Sequence, residues 1–224
     1  MKNVRVYMTK YGRLIFTSHL DMNRFMTRAL RLSRLPIWYT EGFNPHPYLT
    51  FLLPLSLGFE SDCEIMDIRI TDEEVPLEEI KTALNAVLPS DMQVQKVAEP
   101  VLKPGKIAFA EFLITFKSAG DKLAARLSAF LLQDSIVTEK NGKKGKLSTV
   151  DLAPKIQSFS TDVIDNEDGS SFVALKIVLP AGGSDNVNPT LLLTAYNNEH
   201  SDEPLPFYKI KRTMIFDAQM HPFA

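Results

Sequence analysis

The sequence has almost no cysteine: Cys63 is the only one among 224 residues. A single thiol cannot supply an internal disulfide framework, a cysteine-rich zinc site or a self-contained iron–sulfur cluster, so we expect no cofactor held by this chain alone. Long apolar runs are also missing. No stretch approaches the roughly 20 residues of a membrane span, and the amino terminus lacks the apolar core of a signal peptide. These absences predict a cytoplasmic protein that does not interact with a membrane.

Several catalytic motifs are absent as well. The sequence contains no Walker or dinucleotide-binding glycine pattern and no nucleophile elbow. Ser18, His19 and Asp21 are too close together at a helix start to form a hydrolase relay. His19, Asp21 and His46 are too widely spaced to match a zinc-binding motif, so no metal site is predicted.

Charge is unevenly distributed along the chain. The net charge is only −2, but residues 1–34 carry eight lysines and arginines against one acid, Asp21. Residues 60–79 reverse this balance, with nine acids against Arg69. Such segregation favours a basic face for an anionic partner even in a slightly acidic protein.

Hydrophobic periodicity in the first half predicts a β-α-β-β-α-β order. Strand patterns cover residues 3–9, 64–70 and 92–97, and residues 37–40 and 49–53 are strand-like. An amphipathic helix is predicted from about Ser18 to Leu35, where Pro36 stops it, and a second helix covers Pro76–Val87.

The same order restarts after a linker punctuated by Pro100, Pro104 and Gly105. Strands are predicted at 108–116, 150–160, 171–179 and 207–217, with a turn at 166–169 and helices at 121–132 and 189–196. Asn188 is predicted to cap the last helix, with Pro189 in its first turn. The pattern predicts an α+β protein made of tandem ferredoxin-like units, covering residues 1–103 and 107–224.

The first helix carries arginines on one face. Arg24, Arg28 and Arg31 lie within about 60° of each other around the helix axis, and Arg34 borders them. Guanidinium groups match the geometry of phosphate and carboxylate, so the row indicates an anion-binding stripe; a solvated helix face is the alternative. Arg13, just upstream, is grouped with the stripe as a phosphate contact.

The start of this helix holds Ser18, His19 and Asp21. Ser18 and Asp21 are spaced as a capping box with Asp in place of Glu. Imidazole is a common acid–base group in proteins, and His19 lies where helix amides favour an anion. It is a candidate acid, base or phosphate contact, or a histidine packed beneath the next loop.

The segment Glu41-Gly42-Phe43-Asn44-Pro45-His46-Pro47 is the second candidate. Two prolines hold His46 in an extended backbone. Phe43 offers a face on which a base could stack, with Asn44 and Glu41 beside it, although Phe43 could instead fill the core. We expect this loop to meet the first helix and bring His46 toward His19.

Three further segments are basic or glycine-rich. Lys140–Lys146 forms a basic turn, and Ala181–Ser184 could cradle an anion or simply turn the chain. On the last strand Lys209 and Lys211 share one face, while Arg212, a candidate RNA-binding residue, points away from Lys211.

The segments Ser18–Asp21, Glu41–Pro47, Leu53–Leu55, Gly58 and Glu60–Ser61 together resemble one bacterial family, the uncharacterised radical SAM-linked proteins, or DUF2344. Asn188-Pro189 and Lys211–Thr213 resemble its carboxyl-terminal half more loosely. The resemblance implies a radical SAM enzyme as partner, and since this chain lacks a three-cysteine motif, radical chemistry would belong to that partner.

Three hypotheses of function follow. In the first, the chain is a non-catalytic subunit that binds RNA or another anionic substrate for a radical SAM enzyme, using Arg13, the helix arginines and the Phe43 loop. In the second, it is a metal-independent endoribonuclease, similar in plan to CRISPR repeat-processing enzymes, with His19 as base and His46 as acid. In the third, it is a protein–protein adaptor.

Overall fold

A computed structural model describes residues 1–117, 121–141, 147–165, 171–183 and 185–223. The chain folds into two compact units, unit 1 from Met1 to Lys106 together with Phe223, and unit 2 from Ile107 to Pro222. The fold is α+β, with antiparallel strand pairing in both units and four α-helices in the described ranges. No helix in these ranges combines the length and apolarity that a membrane crossing needs.

Unit 1 follows the order β-α-β-β-α-β. Its elements are β1 (Lys2–Lys10), α1 (His19–Leu32), β2 (Leu49–Phe51), β3 (Glu60–Ile70), α2 (Leu77–Asn85) and β4 (Val94–Ala98). In the sheet β1 lies between β4 and β3, and β2 pairs with the other edge of β3. All of these pairings are antiparallel. The predicted element order of this half is confirmed.

One face of this sheet and the two helices form the core of unit 1. Alternate residues of β1, namely Val4, Val6 and Met8, are buried, as the period-2 pattern predicts. The apolar stripe of α1 packs on them through Met22, Met26, Ala29 and Leu30. Because full burial of each large side chain contributes about 1.5–3 kcal/mol, this stripe fixes which face of α1 is left for solvent.

The first helix ends earlier than predicted. It stops at Leu32, where Ser33 caps it, and Arg34 adopts a left-handed backbone with φ of 58°. The chain has therefore left the helix before Pro36. Residues 37–40 make only isolated bridges, and the strand predicted at 49–53 is limited to Leu49–Phe51.

Unit 2 repeats the order and adds a hairpin. Its elements are β5 (Phe109–Phe116), α3 (Asp121–Leu131), β6 (Val137–Asn141), β7 (Leu147–Asp151), β8 (Ser158–Asp165), β9 (Ser171–Pro180), α4 (Thr190–Glu199) and β10 (Tyr208–Phe216). Its sheet has the order β10-β5-β9-β8, while β6 and β7 pair only with each other.

The single strand predicted at 150–160 is wrong. The chain turns after Asp151 through a short 3-10 helix, Ala153–Lys155, before β8 begins at Ser158. Asp151 stabilises this turn, since its carboxylate accepts hydrogen bonds from the backbone N–H groups of Ile136 and Ala153 and from the Ser135 hydroxyl. Residues 142–146 of the basic turn, the predicted turn at 166–169 and Ser184 lie outside the described residues.

The last helix begins at Thr190, close to the predicted position. The Asn188 side chain accepts a hydrogen bond from the Thr190 N–H at 3.0 Å, but the N-cap position of the helix is Pro189 rather than the predicted Asn188. Tyr196 of this helix is fully buried against Phe130 of α3 in an edge-to-face contact.

Candidate functional site

The arginines of α1 form an exposed row, which we call the arginine face: Arg24, Arg28 and Arg31. All three project away from the buried methionine stripe. Arg24 forms a 3.2 Å ion pair with Asp21, one turn earlier. Within the described part of the chain, neither Arg28 nor Arg31 contacts a carboxylate. Two adjacent guanidinium groups are therefore available to an external anion.

Arg34 extends the row at the carboxyl end of α1. Its side chain is exposed, and its backbone lies in the left-handed region, which costs a residue with a Cβ about 1–2 kcal/mol. Glycine is the usual residue at this place after a helix. An arginine held there despite the strain is consistent with a role for its side chain.

Ser18 and Asp21 are occupied by local structure. The Ser18 hydroxyl oxygen accepts a hydrogen bond from the Asp21 N–H at 3.1 Å and donates to the Asp21 carboxylate at 2.7 Å. Asp21 contacts the Ser18 hydroxyl rather than its backbone N–H, so this is a helix cap but only half of a capping box. Both side chains have their polar atoms satisfied within α1.

His19 is exposed and held by two neighbours. Its ring packs edge-to-face on Phe51, with centroids 5.8 Å apart. Its Nε2 lies 3.1 Å from Nδ2 of Asn23, which also donates to the His19 carbonyl at 2.8 Å. Because an amide nitrogen can only donate, Nε2 is the acceptor and the neutral ring carries its proton on Nδ1.

Two buried charged residues near His19 were not predicted from the sequence. Lys10 and Glu64 are only 3% and 4% exposed, and the Lys10 ammonium donates to the Thr17 carbonyl at 3.4 Å. Both line a cavity beside His19 and Met22 of only about 10 Å³. That volume is at the lower limit for one water molecule, so this cavity is not a substrate site.

The Glu41–Pro47 loop is the tip of a hairpin. Its base is closed by hydrogen bonds from the Thr40 N–H to the His46 carbonyl and from the Tyr48 N–H to the Trp38 carbonyl, both at 2.9 Å. Phe43 at the tip is fully exposed. The alternative that Phe43 fills the core is therefore wrong. Its exposed position matches the other alternative, a ring on which a base could stack.

His46 is fixed by the hairpin. Its Nδ1 lies 3.0 Å from the Asn44 carbonyl and 3.1 Å from the Thr40 hydroxyl. A carbonyl only accepts, so Nδ1 carries a proton and Nε2 remains outward. Gly42 in the same loop has a φ of 121°, a conformation that glycine adopts without the strain that a Cβ would add.

The two histidines do not converge, contrary to the prediction. His19 packs on Phe51, the last residue of β2, whereas His46 lies three residues before Leu49, the first residue of that strand. From His46 to Phe51 the extended chain advances five positions, or about 16 Å at about 3.3 Å per residue. The hairpin lies at the end of unit 1 where α1 finishes, because Ile37, which follows the helix, bridges to Ile70 at the end of β3. An acid–base pair must reach neighbouring atoms of one substrate, and this separation prevents it.

An aromatic clamp at the base of the hairpin was also missed. The guanidinium of Arg69 lies 4.8 Å from the ring centroids of both Trp38 and Tyr48, and its Nε donates to the Asn3 side chain at 3.1 Å. These contacts anchor the hairpin to β3. The alternation of β3, with Arg69 between two buried isoleucines, is the sequence signal that could have indicated it.

The other predicted site residues occupy different environments. Arg13, in a short 3-10 helix spanning Gly12–Phe16, is exposed, and Glu41 and Asn44 are exposed at the hairpin tip. Arg212 is only 2% exposed, on the inward side of β10, so it does not contribute to an accessible surface. Strand alternation explains this: Lys209 and Lys211 point outward and Arg212 inward.

Across the described ranges, histidine, cysteine and acidic side chains form no group of three able to hold a metal ion. Cys63 is a free thiol of intermediate exposure. The described residues offer exposed guanidinium groups, an exposed aromatic ring and an exposed imidazole.

Comparison with known proteins gives a family match and remote similarity to solved structures. The family model described as "Uncharacterized protein conserved in bacteria (DUF2344)" matches residues 3–189. No curated protein matches the sequence.

Among solved structures, a chain from "Crystal Structure of a Cbf5-Nop10-Gar1 Complex" is 10% identical, with a TM-score of 0.49. The similarity covers 95% of this chain but 48% of that one, so this chain spans about half its length. A chain from "Crystal Structure of an Unknown Protein from Galdieria sulphuraria" is 13% identical, with a TM-score of 0.26, and the similarity covers 94% of this chain and 96% of that one.

Proposed function

We propose that this chain, which belongs to the DUF2344 family of uncharacterised bacterial proteins, is a non-catalytic subunit that binds single-stranded RNA for a radical SAM enzyme. The observation that carries the proposal is the arginine face, in which Arg28 and Arg31 are exposed and contact no carboxylate in the described residues. RNA supplies the phosphates that such a row neutralises.

The exposed Phe43 supports the choice of RNA over a small anion. Phe43 is on the hairpin that follows the carboxyl end of α1, the same end of unit 1 that carries Arg31 and Arg34. Phosphate contacts position a nucleic acid, and an exposed aromatic ring accepts an unstacked base. The prolines at 45 and 47 and the aromatic clamp hold the hairpin in place before RNA binds, which lowers the entropic cost of binding.

We further propose that each unit is ferredoxin-like. Unit 1 has the strand order β4-β1-β3-β2, and unit 2 the corresponding order β10-β5-β9-β8, with the β6–β7 hairpin as an insertion. Both agree with the β-α-β-β-α-β plan of that motif. The fold itself carries no function, so the argument for RNA rests on the side chains.

The radical SAM partner rests on the family resemblance. Cys63 alone cannot hold an iron–sulfur cluster, so cluster chemistry requires cysteines from outside this sequence. Affinity capture of the intact chain from its native cells, followed by identification of bound protein and RNA, tests this. We expect a cysteine-cluster enzyme to be enriched together with RNA; capture of RNA without such an enzyme would contradict the partnership.

RNA binding is tested through its salt dependence. Fluorescence anisotropy with a labelled oligouridylate, at several salt concentrations, gives the slope of log affinity against log salt. Each single-strand phosphate contact contributes about 0.7 to this slope, so R28A/R31A should reduce it by about 1.4. The matched control is K103A/K106A, which removes two exposed charges from the linker.

The control variant should retain the slope of the original protein. Equal losses in R28A/R31A and K103A/K106A would show that only net charge matters, and the proposal would then fail. A flat salt dependence in the original protein would also overturn it.

A second variant separates base contacts from phosphate contacts. Removing the ring with Phe43→Ala should weaken binding by about 1–3 kcal/mol, the usual value of one base–aromatic stack, and leave the salt slope unchanged. Leu57→Ala, which truncates another exposed apolar side chain of unit 1, is the control. Equal affinity of Phe43→Ala and the original protein would remove Phe43 from the site.

A further inference from the structure

Unit 2 contains an open groove of about 360 Å³ that the arginine face does not involve. It lies where β5 ends and where β9 and β10 begin. Five larger side chains line it, with Thr115 and Ser171 between them: Phe116, Lys117, Phe172, Phe207 and Lys209. The volume is within the usual range for ligand sites.

Strand register explains how these side chains come together. Lys209 is opposite Thr115, and the Lys117 N–H donates to the Phe207 carbonyl at 2.9 Å. Lys117 and Phe207 are therefore cross-strand neighbours, and Phe207 lies two residues before Lys209 along the chain. By strand alternation Thr115 and the adjoining Lys117 face the same side of the sheet, and the buried Ile114 faces the other side.

The charge of the groove is one-sided. Lys117 and Lys209 are exposed, and neither contacts a carboxylate in the part of unit 2 that is described. Among the described residues that line the groove none is acidic, and Asp165, cross-strand from Ser171, is outside the lining. Phe207 is 69% exposed, an unusual position for a large aromatic side chain.

The combination of rings and cations selects one class of occupant. A purely apolar protein segment would bury two ammonium groups without counter-charges, which is costly. An acidic peptide would satisfy the lysines but leave the exposed ring of Phe207 without a specific partner. Single-stranded RNA uses both, because its bases stack on aromatic faces while its phosphates pair with cations.

We propose that this groove is a second binding site for single-stranded RNA, in which a base stacks on Phe207 and phosphates contact Lys117 and Lys209. This inference goes beyond the function proposed for unit 1 and uses none of its residues. It can be correct if the arginine face binds nothing, and it can fail while the arginine face binds RNA.

The test is photocrosslinking of the intact chain to a 4-thiouridine oligonucleotide, with crosslinked peptides identified by mass spectrometry. We expect crosslinks in the peptide containing Phe207, both in the original protein and in R28A/R31A. Crosslinks confined to unit 1 would overturn the groove proposal and leave the unit 1 proposal intact. Crosslinks confined to the groove would support the groove proposal and overturn the unit 1 proposal.

Affinity of the R28A/R31A protein provides the second readout. Phe207→Ala in this background should weaken oligouridylate binding by about 5- to 150-fold, and Lys209→Gln should lower the salt slope by about 0.7. Leu132→Ala, an exposed apolar truncation elsewhere in unit 2, is the control and should change neither quantity. Circular dichroism verifies that each variant is folded.

Polyglutamate serves as the competing anion. The groove is not an RNA site if polyglutamate displaces labelled RNA as well as unlabelled RNA of the same charge does. The same conclusion follows if Phe207→Ala in the R28A/R31A background binds RNA as tightly as R28A/R31A alone. Selective retention of RNA in the presence of polyglutamate supports the proposal.

Discussion

Gly12 is the position where a single added methyl group should most clearly destabilise unit 1. Its φ of 54° is left-handed, and a Cβ there would overlap the carboxylate of Asp91. The backbone strain alone costs about 1–2 kcal/mol. Asp91 can rotate away, but it then loses the 2.9 Å hydrogen bond that its Oδ2 accepts from the Arg13 N–H, which is worth about 1 kcal/mol. Gly12→Ala should therefore lower the free energy of unfolding by about 2–3 kcal/mol.

The only tryptophan of the chain reports this change selectively. Trp38 lies in unit 1, so its fluorescence during urea unfolding follows that unit. A double-mutant cycle with Asp91→Ala separates the two costs. Asp91→Ala alone loses the hydrogen bond, so in the Asp91→Ala background Gly12→Ala should cost only the strain. The loss of unfolding free energy in the double variant should therefore be about 1 kcal/mol smaller than the sum of the two single losses.

Two outcomes would refute this reasoning. A loss below about 0.5 kcal/mol for Gly12→Ala, the usual range of surface changes, would mean that the turn tolerates a side chain. An identical cost with and without Asp91 would mean that the carboxylate is not the obstacle. A change in the denaturant dependence itself would indicate an altered unfolded state and require a different probe.

Two further predictions concern a helix end and pH. Arg34→Gly should raise the free energy of unfolding of unit 1 by about 0.5–1 kcal/mol, because glycine relieves the left-handed strain. Arg28→Gly inside α1 should lower it by about 1 kcal/mol. Trp38 fluorescence during urea unfolding measures both changes, and a lower free energy of unfolding for Arg34→Gly would contradict the strain argument. In unit 2, the Ile136 N–H, followed by the Ser135 hydroxyl and the Ala153 N–H, holds the pKa of Asp151 below its usual value. A depressed pKa stabilises the fold above the unfolded pKa of about 4, and this contribution is lost as pH falls through the folded value. The stability gap between the original protein and Asp151→Asn, from urea unfolding by circular dichroism, should therefore shrink below about pH 4; a constant gap would count against it.

Regular elements of the chain could be predicted because their patterns are local. The alternation of Val4, Val6 and Met8 and the helical stripe from Met22 to Leu30 each specify one buried face, and the structure contains both. The end of α1 was harder to place. Pro36 is a visible stop signal, but the helix ends earlier because Arg34 takes a conformation that its residue type does not indicate.

The candidate site was only partly predictable, for a different reason. The arginine face depends on the helical repeat alone, so its exposure followed from the sequence. The separation of His19 from His46 depends on which end of β2 each one meets, and that is decided by long-range pairing of Ile37 and Leu49 with β3. Strand alternation places Arg212 opposite Lys211, but which of these two faces is buried depends on how the sheet packs.

The contact between Arg5 and Phe223 affects how the chain can be divided. Arg5 is fully buried, paired with Asp67 at 2.8 Å and with its guanidinium 5.0 Å from the ring centroid of Phe223. Unit 1 is therefore discontinuous, and unit 2 is inserted before its last contributing residue. During synthesis the strands of unit 1 emerge first, but the ring that packs on Arg5 is available only after all of unit 2 has been translated. A fragment ending at Lys106 keeps every strand and helix of unit 1 yet leaves one face of a buried guanidinium uncovered.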